Sequence, residues 1–392
     1  MRTPMKFNLL TRRRVVLDQE VQEPTLLALV LTVSGFMVLL GVCAVGMAFL
    51  PTWGYMGWIC AGLAGILAWL VLGLRRPVSR GAQASGRQRW FRRMRRGARL
   101  LFIALLACWL GLFVWLAVGH GGAEPEAKAD PTLIRVVTWN IHCGQDEGLP
   151  WEQFDWSVRK HALRAALEQA RPDILCVQEA RLGQVTFIEQ ALPGYCRVGG
   201  GRDDGKNAGE HCAIFFNRRR FTELAGATFW LEEPIDQPRL GSALDIKRIC
   251  TWVRLRDHLT GRTFRLYNTH LYLTEAPRLT AVRLILAQIA DGDPADAVLL
   301  TADFNASPGV HSRSLFAGAG LLDSAERAGR PTGKSTFHLY GIGFQCLDGI
   351  LVSPHWRVHN HLVLDVKPGN TFPSDHFAVL ADLALPKEPV RP

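Results

Sequence analysis

The informative residues in this sequence are polar side chains that end or abut apolar runs. Asp303 and Asn305 follow the run 297–300, and residues two apart on a strand point to the same side. Asn140, Glu179, His270 and Asp348 stand in the same relation to the runs 133–139, 174–177, 263–267 and 347–352, and Asp375-His376 precede 377–383. One such residue is ordinarily a turn or a cap. Asn, Glu, Asp and His at so many strand ends, with hardly a Lys, form a constellation. Carboxylate and amide oxygens without thiolates suit a hard divalent cation, Mg²⁺ or Mn²⁺. Two His beside carboxylates supply groups that titrate near neutrality or hold a proton in place. Together these groups suit attack of water on phosphorus. Arg278 and His338 are weaker, substrate-binding candidates, with a solvated helix face as the plain alternative for Arg278.

The elements that must position these residues are mostly strands. Apolar runs predict strands at 133–139, 174–177, 193–198, 211–216, 249–255, 263–267, 297–301, 347–352 and 377–383, and helical spacing predicts helices over 156–170 and 276–290. Many strands follow one another directly, so the expected class is α+β or mixed α/β, a layered sandwich and not a doubly wound sheet. No GxGxxG, GxxxxGK[ST], Gly-x-Ser-x-Gly or CxxC pattern is present, which argues against dinucleotide binding, a P-loop, a serine elbow and structural zinc. A Gly-rich loop, 199–206, joins strands 193–198 and 211–216. Its Asp203-Asp204 reads as a turn, with a second cation site as the alternative. Cys196 and Cys212 lie equally far from the centre of that hairpin, so an oxidising compartment would favour a cross-strand disulfide.

The net charge of +10 is unevenly placed. Of 45 basic and 35 acidic residues, 15 and 3 fall within 1–120, leaving 30 and 32 for the remainder. The C-terminal part therefore lacks the bulk positive field of a non-specific nucleic-acid binder. The N-terminal part holds three long apolar runs, about 25–50, 54–74 and 100–119, each long enough to cross a bilayer of about 30 Å. Residues 75–99 between the second and third carry ten Arg and no acid. That loop and the basic N-terminus are expected to stay cytoplasmic, which puts the catalytic part outside the cytoplasm, at the periplasmic or outer face of the membrane. The expected organisation is a helical membrane unit at 1–119, a polar linker at 120–132, a catalytic domain at 133–386 and a tail at 387–392. The lipid bilayer is the expected partner; no protein partner is indicated.

Six segments in order carry a resemblance: Thr138-Trp139-Asn140-Ile141, Val177-Gln178-Glu179, Asn268-Thr269-His270-Leu271, Asp303-Phe304-Asn305, Leu347-Asp348-Gly349-Ile350 and Ser374-Asp375-His376. The chain resembles the endonuclease/exonuclease/phosphatase superfamily over residues 133–386, as a bacterial, membrane-anchored member. That resemblance implies a four-layered sandwich of two mixed β-sheets flanked by helices. It implies Glu179 as principal metal ligand, with Asn140 beside it and Asp375 near the metal. Asp303 would orient or deprotonate the water, Asn305 would hold a phosphate oxygen, and Asp348 would orient His376, which contacts the phosphate and moves protons. His270 would donate to the phosphate or leaving group. Two positions depart from the pattern: Ala302 stands where Gly is usual, and Gly349 where an aromatic is usual. The expected substrate is a lipid head group or small phosphoester. DNA or RNA is the alternative, and a non-catalytic binding domain is the alternative of another class.

Overall fold

The computed structural model describes residues 125–144, 155–238, 246–330, 335–338 and 345–385. The apolar runs at 25–50, 54–74 and 100–119, the basic loop 75–99 and the tail lie outside the described residues. Among the described residues no helix is long and apolar enough to cross a membrane.

In chain order the elements are β1 (Ile134–Asn140), α1 (Trp156–Ala170), β2 (Ile174–Gln178), α2 (Leu182–Ala191), β3 (Tyr195–Val198), β4 (Ile214–Asn217), β5 (Phe221–Trp230) and β6 (Ile249–Asp257). They continue as β7 (Thr263–His270), α3 (Glu275–Ala290), β8 (Ala297–Asp303), α4 (His311–Gly318), β9 (Leu322–Asp323), α5 (Ser324–Arg327), β10 (Asp348–Val352), β11 (Arg357–Leu364) and β12 (Ala378–Ala384). Two six-stranded mixed sheets result, ordered β11-β12-β1-β2-β4-β3 and β5-β6-β7-β8-β10-β9. The central pairs β1–β2 and β7–β8 are parallel, and the flanking pairs are antiparallel.

Alternation along the strands builds the layers. Val136 and Cys176 face the other sheet with Leu266, Leu299 and Ile350, while Val137 and Val177 pack under Leu163, Leu167 and Ile188 of α1 and α2. Likewise Tyr267 and Leu300 pack under Val282 and Ile285 of α3 and Phe316 of α4. Both faces of the central strands are thus buried, which is why they read as continuous apolar runs.

Gln178 and Asn268 are polar residues on the inward faces of this core. Gln178 of β2 donates Nε2 to Thr138 Oγ1 at 2.9 Å and across the interface to Asn268 Oδ1 at 2.7 Å. Asn268 of β7 returns Nδ2 to the Val177 and Ala213 carbonyls at 2.9 and 3.1 Å, and Thr301 Oγ1 donates to its Oδ1. One amide therefore bonds the backbone of the opposite sheet. A buried pair of this kind fixes the slide of one sheet over the other, because any displacement strands several polar groups away from water.

Several elements escaped the sequence. β5 exposes most of its side chains, and β11 has Arg, His and Asn through its first five residues, so neither shows a long apolar run. The hairpin is also shifted from its expected centre. Cys196 faces Phe216 across β3–β4, and Cys212 precedes β4 altogether. Both cysteines are free thiols, without the cross-strand bond that an oxidising compartment would favour. The two departures from the family pattern prove to be cross-strand partners, Gly349 opposite Ala302. A Cβ at Gly349 would lie 2.7 Å from Arg313 Nη2, so the small residue admits the guanidinium that packs 4.4 Å over Phe304.

Asn268→Ala is expected to lower the unfolding free energy by about 3 kcal/mol, since it orphans several buried groups at once. Urea unfolding measures it; a loss below about 1 kcal/mol would contradict a clamping role.

Candidate active site

The strand registers converge on one rung. His270 pairs with Asp303 across parallel β7–β8, and Asp303 pairs with Asp348 across antiparallel β10. In the other sheet Asn140 pairs with Gln178, one residue before Glu179, and His376 directly precedes Phe377 and β12. Since Asn268 and Gln178 lock the sheets two residues and one residue back, the two sets of strand ends meet.

Asp303 is the meeting point, 1% exposed. Asn140 Nδ2 donates to its Oδ2 at 2.8 Å and also to Glu179 Oε1 at 2.9 Å, bridging the sheets. His270 Nε2 lies 3.4 Å from the same oxygen and His376 Nε2 4.0 Å. The other oxygen accepts the Asn305 amide at 2.9 Å. Asp348 Oδ2 accepts from His376 Nδ1 at 2.8 Å. Three residues just past strand ends, His142, Glu179 and Asn305, have φ of 55°, 63° and 47°. Asn and His tolerate that conformation, but Glu rarely adopts it, and such strain is held where surrounding bonds over-determine it. Cys143 N donates to Glu179 Oε2, while the His142 carbonyl is held by Arg159 and Gln184.

Electrostatics divide the two histidines. Burial, with Arg248 and His376 nearby, holds the His270 imidazole well below its usual range, so it is neutral. Asn305 Nδ2 lies 2.9 Å from His270 Nε2, which makes Nε2 an acceptor and leaves the proton on Nδ1. Burial also works against charge on His376, but Asp348, Asp375 and Asp303 outweigh it and raise its pKa well above the usual value. Burial and Asp348 raise the Asp303 carboxyl, with His376, Asn140 and the Asn305 amide opposing.

Several expected residues are placed differently from their expected roles. Asn305 commits both amide hydrogens, to His270 and to the Leu271 carbonyl, and so orients His270. Asp375 is engaged by His142 Nδ1 at 3.2 Å and Ser374 Oγ at 3.2 Å, and it belongs to neither cluster of possible metal ligands. Arg278 is 6% exposed and donates to the carbonyls of Asn305 and Tyr272 and to Ser312 Oγ, bracing the turn that carries Asn305. His338, 1% exposed, stacks 3.8 Å from Phe377. Both side chains are buried, Arg278 against the Asn305 turn and His338 against Phe377. Asp203 and Asp204 follow the turn reading: Asp204 Oδ1 accepts from the Lys206 and Ala208 amides.

Sequence reasoning missed Thr336, whose hydroxyl accepts the Leu347 and Asp348 amides and so caps β10 at Asp348. It also missed Ser374, whose hydroxyl donates to the Asn140 carbonyl and accepts the His376 amide. The Thr336-Phe337-His338 and Ser374-Asp375-His376 triplets were the only signals for them.

Glu179, His270 and Asp303 offer ligand atoms within 4.8 Å of one another, as do Asp303, Asp348 and His376. The two carboxylates of the first set fit a divalent cation, while His270, with Nε2 accepting from Asn305 and its proton on Nδ1, stands beside it as a donor. Cys212 nearby belongs to neither group of possible ligands, and burial pushes its thiol up to about 12.

A sequence profile described as the Endonuclease/Exonuclease/phosphatase family matches residues 137–376. The chain belongs to that family. This family member is similar to nocturnin of Xenopus laevis, 27% identical over 312 residues, which are 68% of this chain and 76% of that protein. Among solved structures it is similar to the endonuclease/exonuclease/phosphatase from Bacteroides vulgatus, at 30% identity and a TM-score of 0.60, over 65% of this chain and 100% of that one. A mannosyl-6-phosphatase of Bacteroides thetaiotaomicron is 28% identical with a TM-score of 0.58, over 64% of this chain and 99% of that one. As a member of this family the protein is an enzyme, a phosphoric ester hydrolase.

His376 is the group whose protonation the geometry controls. Its pKa is raised in the folded state, so its imidazolium persists upward from about 6.5, and its favourable contribution is lost as pH rises through the folded value. Asp348→Asn removes the strongest partner. The alkaline limb of the pH–rate profile is expected to move to lower pH, and an unmoved limb would contradict the pairing.

Proposed function

We propose that this chain is a membrane-anchored hydrolase of small phosphate esters or lipid head groups, dependent on Mg²⁺ or Mn²⁺ and working at the outer side of the membrane. The observation that carries the chemistry is the convergence on Asp303: an amide from one sheet, a neutral imidazole and a protonated one all lie within 4.0 Å of one oxygen. Glu179 and Asp303 would hold the cation, which when bound supplies charge to the phosphate oxygens and polarises them.

The side chains divide the remaining work. Asp303 takes the proton of the attacking water, and burial, which raises its pKa above the usual carboxylate value, strengthens it as a base. Asn140 holds that carboxylate facing the site. The new water–phosphorus bond forms as the ester P–O bond breaks. His376, kept protonated by Asp348, stabilises negative charge gathering on the phosphate oxygens. His270, oriented by Asn305, presents a neutral N–H donor, and a buried Nδ1 without a partner among the described residues is consistent with a ligand there.

A small ester is favoured over nucleic acid by the near-neutral balance of the C-terminal part and by the likeness to a mannosyl-6-phosphatase. The anchor rests on the three apolar runs, and the external location on the arginine-rich loop between them. A tether keeps the site near a lipid surface at high effective concentration.

The full chain in detergent should hydrolyse a small phosphate ester, lose activity to EDTA and regain it with Mg²⁺ or Mn²⁺. Asp303→Ala should lower kcat by about 1,000-fold or more. Retained activity in that variant would sink the mechanism, and faster turnover of plasmid DNA or RNA than of small esters and phospholipid vesicles would reassign the substrate. A cysteine-reactive, membrane-impermeant reagent that labels Cys196 on intact cells would support the external location; labelling only after lysis would overturn it.

A further inference from the structure

A recess opens beside the cation cluster and shares Glu179 and His270 with it. Its remaining walls are Arg202, Glu210, Cys212, Lys247, Arg248 and Ile249. Arg248 is 7% exposed, at the start of β6, and its Nε has no hydrogen-bond partner among the described residues. A buried guanidinium with an unused donor is costly unless an anion meets it. Arg202 is already taken, at 2.6 Å from Glu210 Oε2, and its own carbonyl is pinned by Trp230 Nε1. The loop bearing it folds closely on itself: a Cβ at Gly201 would lie 2.2 Å from the Ala208 carbonyl oxygen. Arg248 and the half-buried Lys247 are therefore the cations left for a ligand.

From the recess geometry we infer that Arg248, with Lys247, binds the additional oxyanion of a phosphomonoester, making this enzyme a phosphomonoesterase in preference to a phosphodiesterase. The inference rests on the phosphate-ester reading above and narrows it.

Charge supports the assignment. The recess has two carboxylates against three cationic side chains, one positive charge in excess, before a divalent cation adds two. A monoester carries up to two negative charges spread over three unsubstituted oxygens, and a diester one charge over two, so the monoester has one more oxygen and one more charge for the cations of the recess to meet. The planar guanidinium offers parallel donors matched to two phosphate oxygens, which an ammonium cannot reproduce. The low-dielectric walls, Cys212 and Ile249, strengthen the attraction.

The test uses the detergent-solubilised full chain with Mn²⁺, comparing p-nitrophenyl phosphate with bis(p-nitrophenyl) phosphate. Wild type should favour the monoester in kcat/KM. Arg248→Gln should raise KM for the monoester about 30-fold, and the inhibition constant of inorganic phosphate by a similar factor, while the diester changes several-fold less. Arg248→Lys keeps the charge and should recover only part of the loss. Lys247→Ala, at a half-buried position, should change the same ratio in the same direction, so the idea stays testable even when Arg248→Gln does not fold. An equal loss on both esters, or an unchanged phosphate inhibition constant in the Arg248 and Lys247 variants, would overturn the inference. A wild-type preference for the diester would overturn it too, yet leave the metal-dependent hydrolase intact. Absence of hydrolysis of either ester would instead bring down the function on which it rests.

Discussion

The side-chain pair Gln178–Asn268 is the interaction on which the rest of the site depends. Two sheets packed only through aliphatic side chains have no strong preference for one slide position over another, because burial is non-directional. An amide reaching across the interface to two backbone carbonyls sets a single position. Glu179 and His270 follow these two residues at once, so the lever arm from clamp to catalysis is one or two residues long. The Asn140 bridge to Asp303 and Glu179 then closes the contact at the surface of the core.

Electrostatics follow from that closure. Bringing Asp303, Asp348 and two imidazoles into a nearly dry junction raises the stakes of every charge there. The arrangement answers by keeping His270 neutral and His376 charged, so one site holds an imidazole in each state. The difference comes from partners: His376 has a carboxylate at 2.8 Å on Nδ1, whereas His270 faces an amide and feels the cationic Arg248. Backbone strain at Glu179 is held by the same network, its carboxylate taken by the Asn140 amide and the Cys143 N–H.

What the sequence made legible was set by chemistry with a local signature. The buried strands were visible because both their faces are covered, and Asn140, Glu179, His270, Asp303, Asp348 and His376 because each interrupts such a run. Asn268 and Gln178 were not, since a polar residue on an inward face looks the same in sequence as one on an outward face. The roles of Arg278, His338 and Asp375 depended on long-range partners, Asn305, Phe377 and His142, that no spacing reveals. The hairpin register was misjudged because the Gly-rich loop folds on itself, with Gly201 hydrogen-bonded to Lys206 and Gly205, so its centre is not its midpoint. Ala302 and Gly349 looked like separate departures and are cross-strand partners, which only the β8–β10 register discloses.

The central claim is that strand ends from both sheets build one cation-holding cluster. Titrating the full chain with Mn²⁺ and following free ion by electron paramagnetic resonance tests it most directly. Glu179→Gln from one sheet and Asp303→Asn from the other should each weaken the same tight site by at least tenfold. Mn²⁺ binding that is unchanged in either variant would show that the two sheets do not share the site, and would contradict the account.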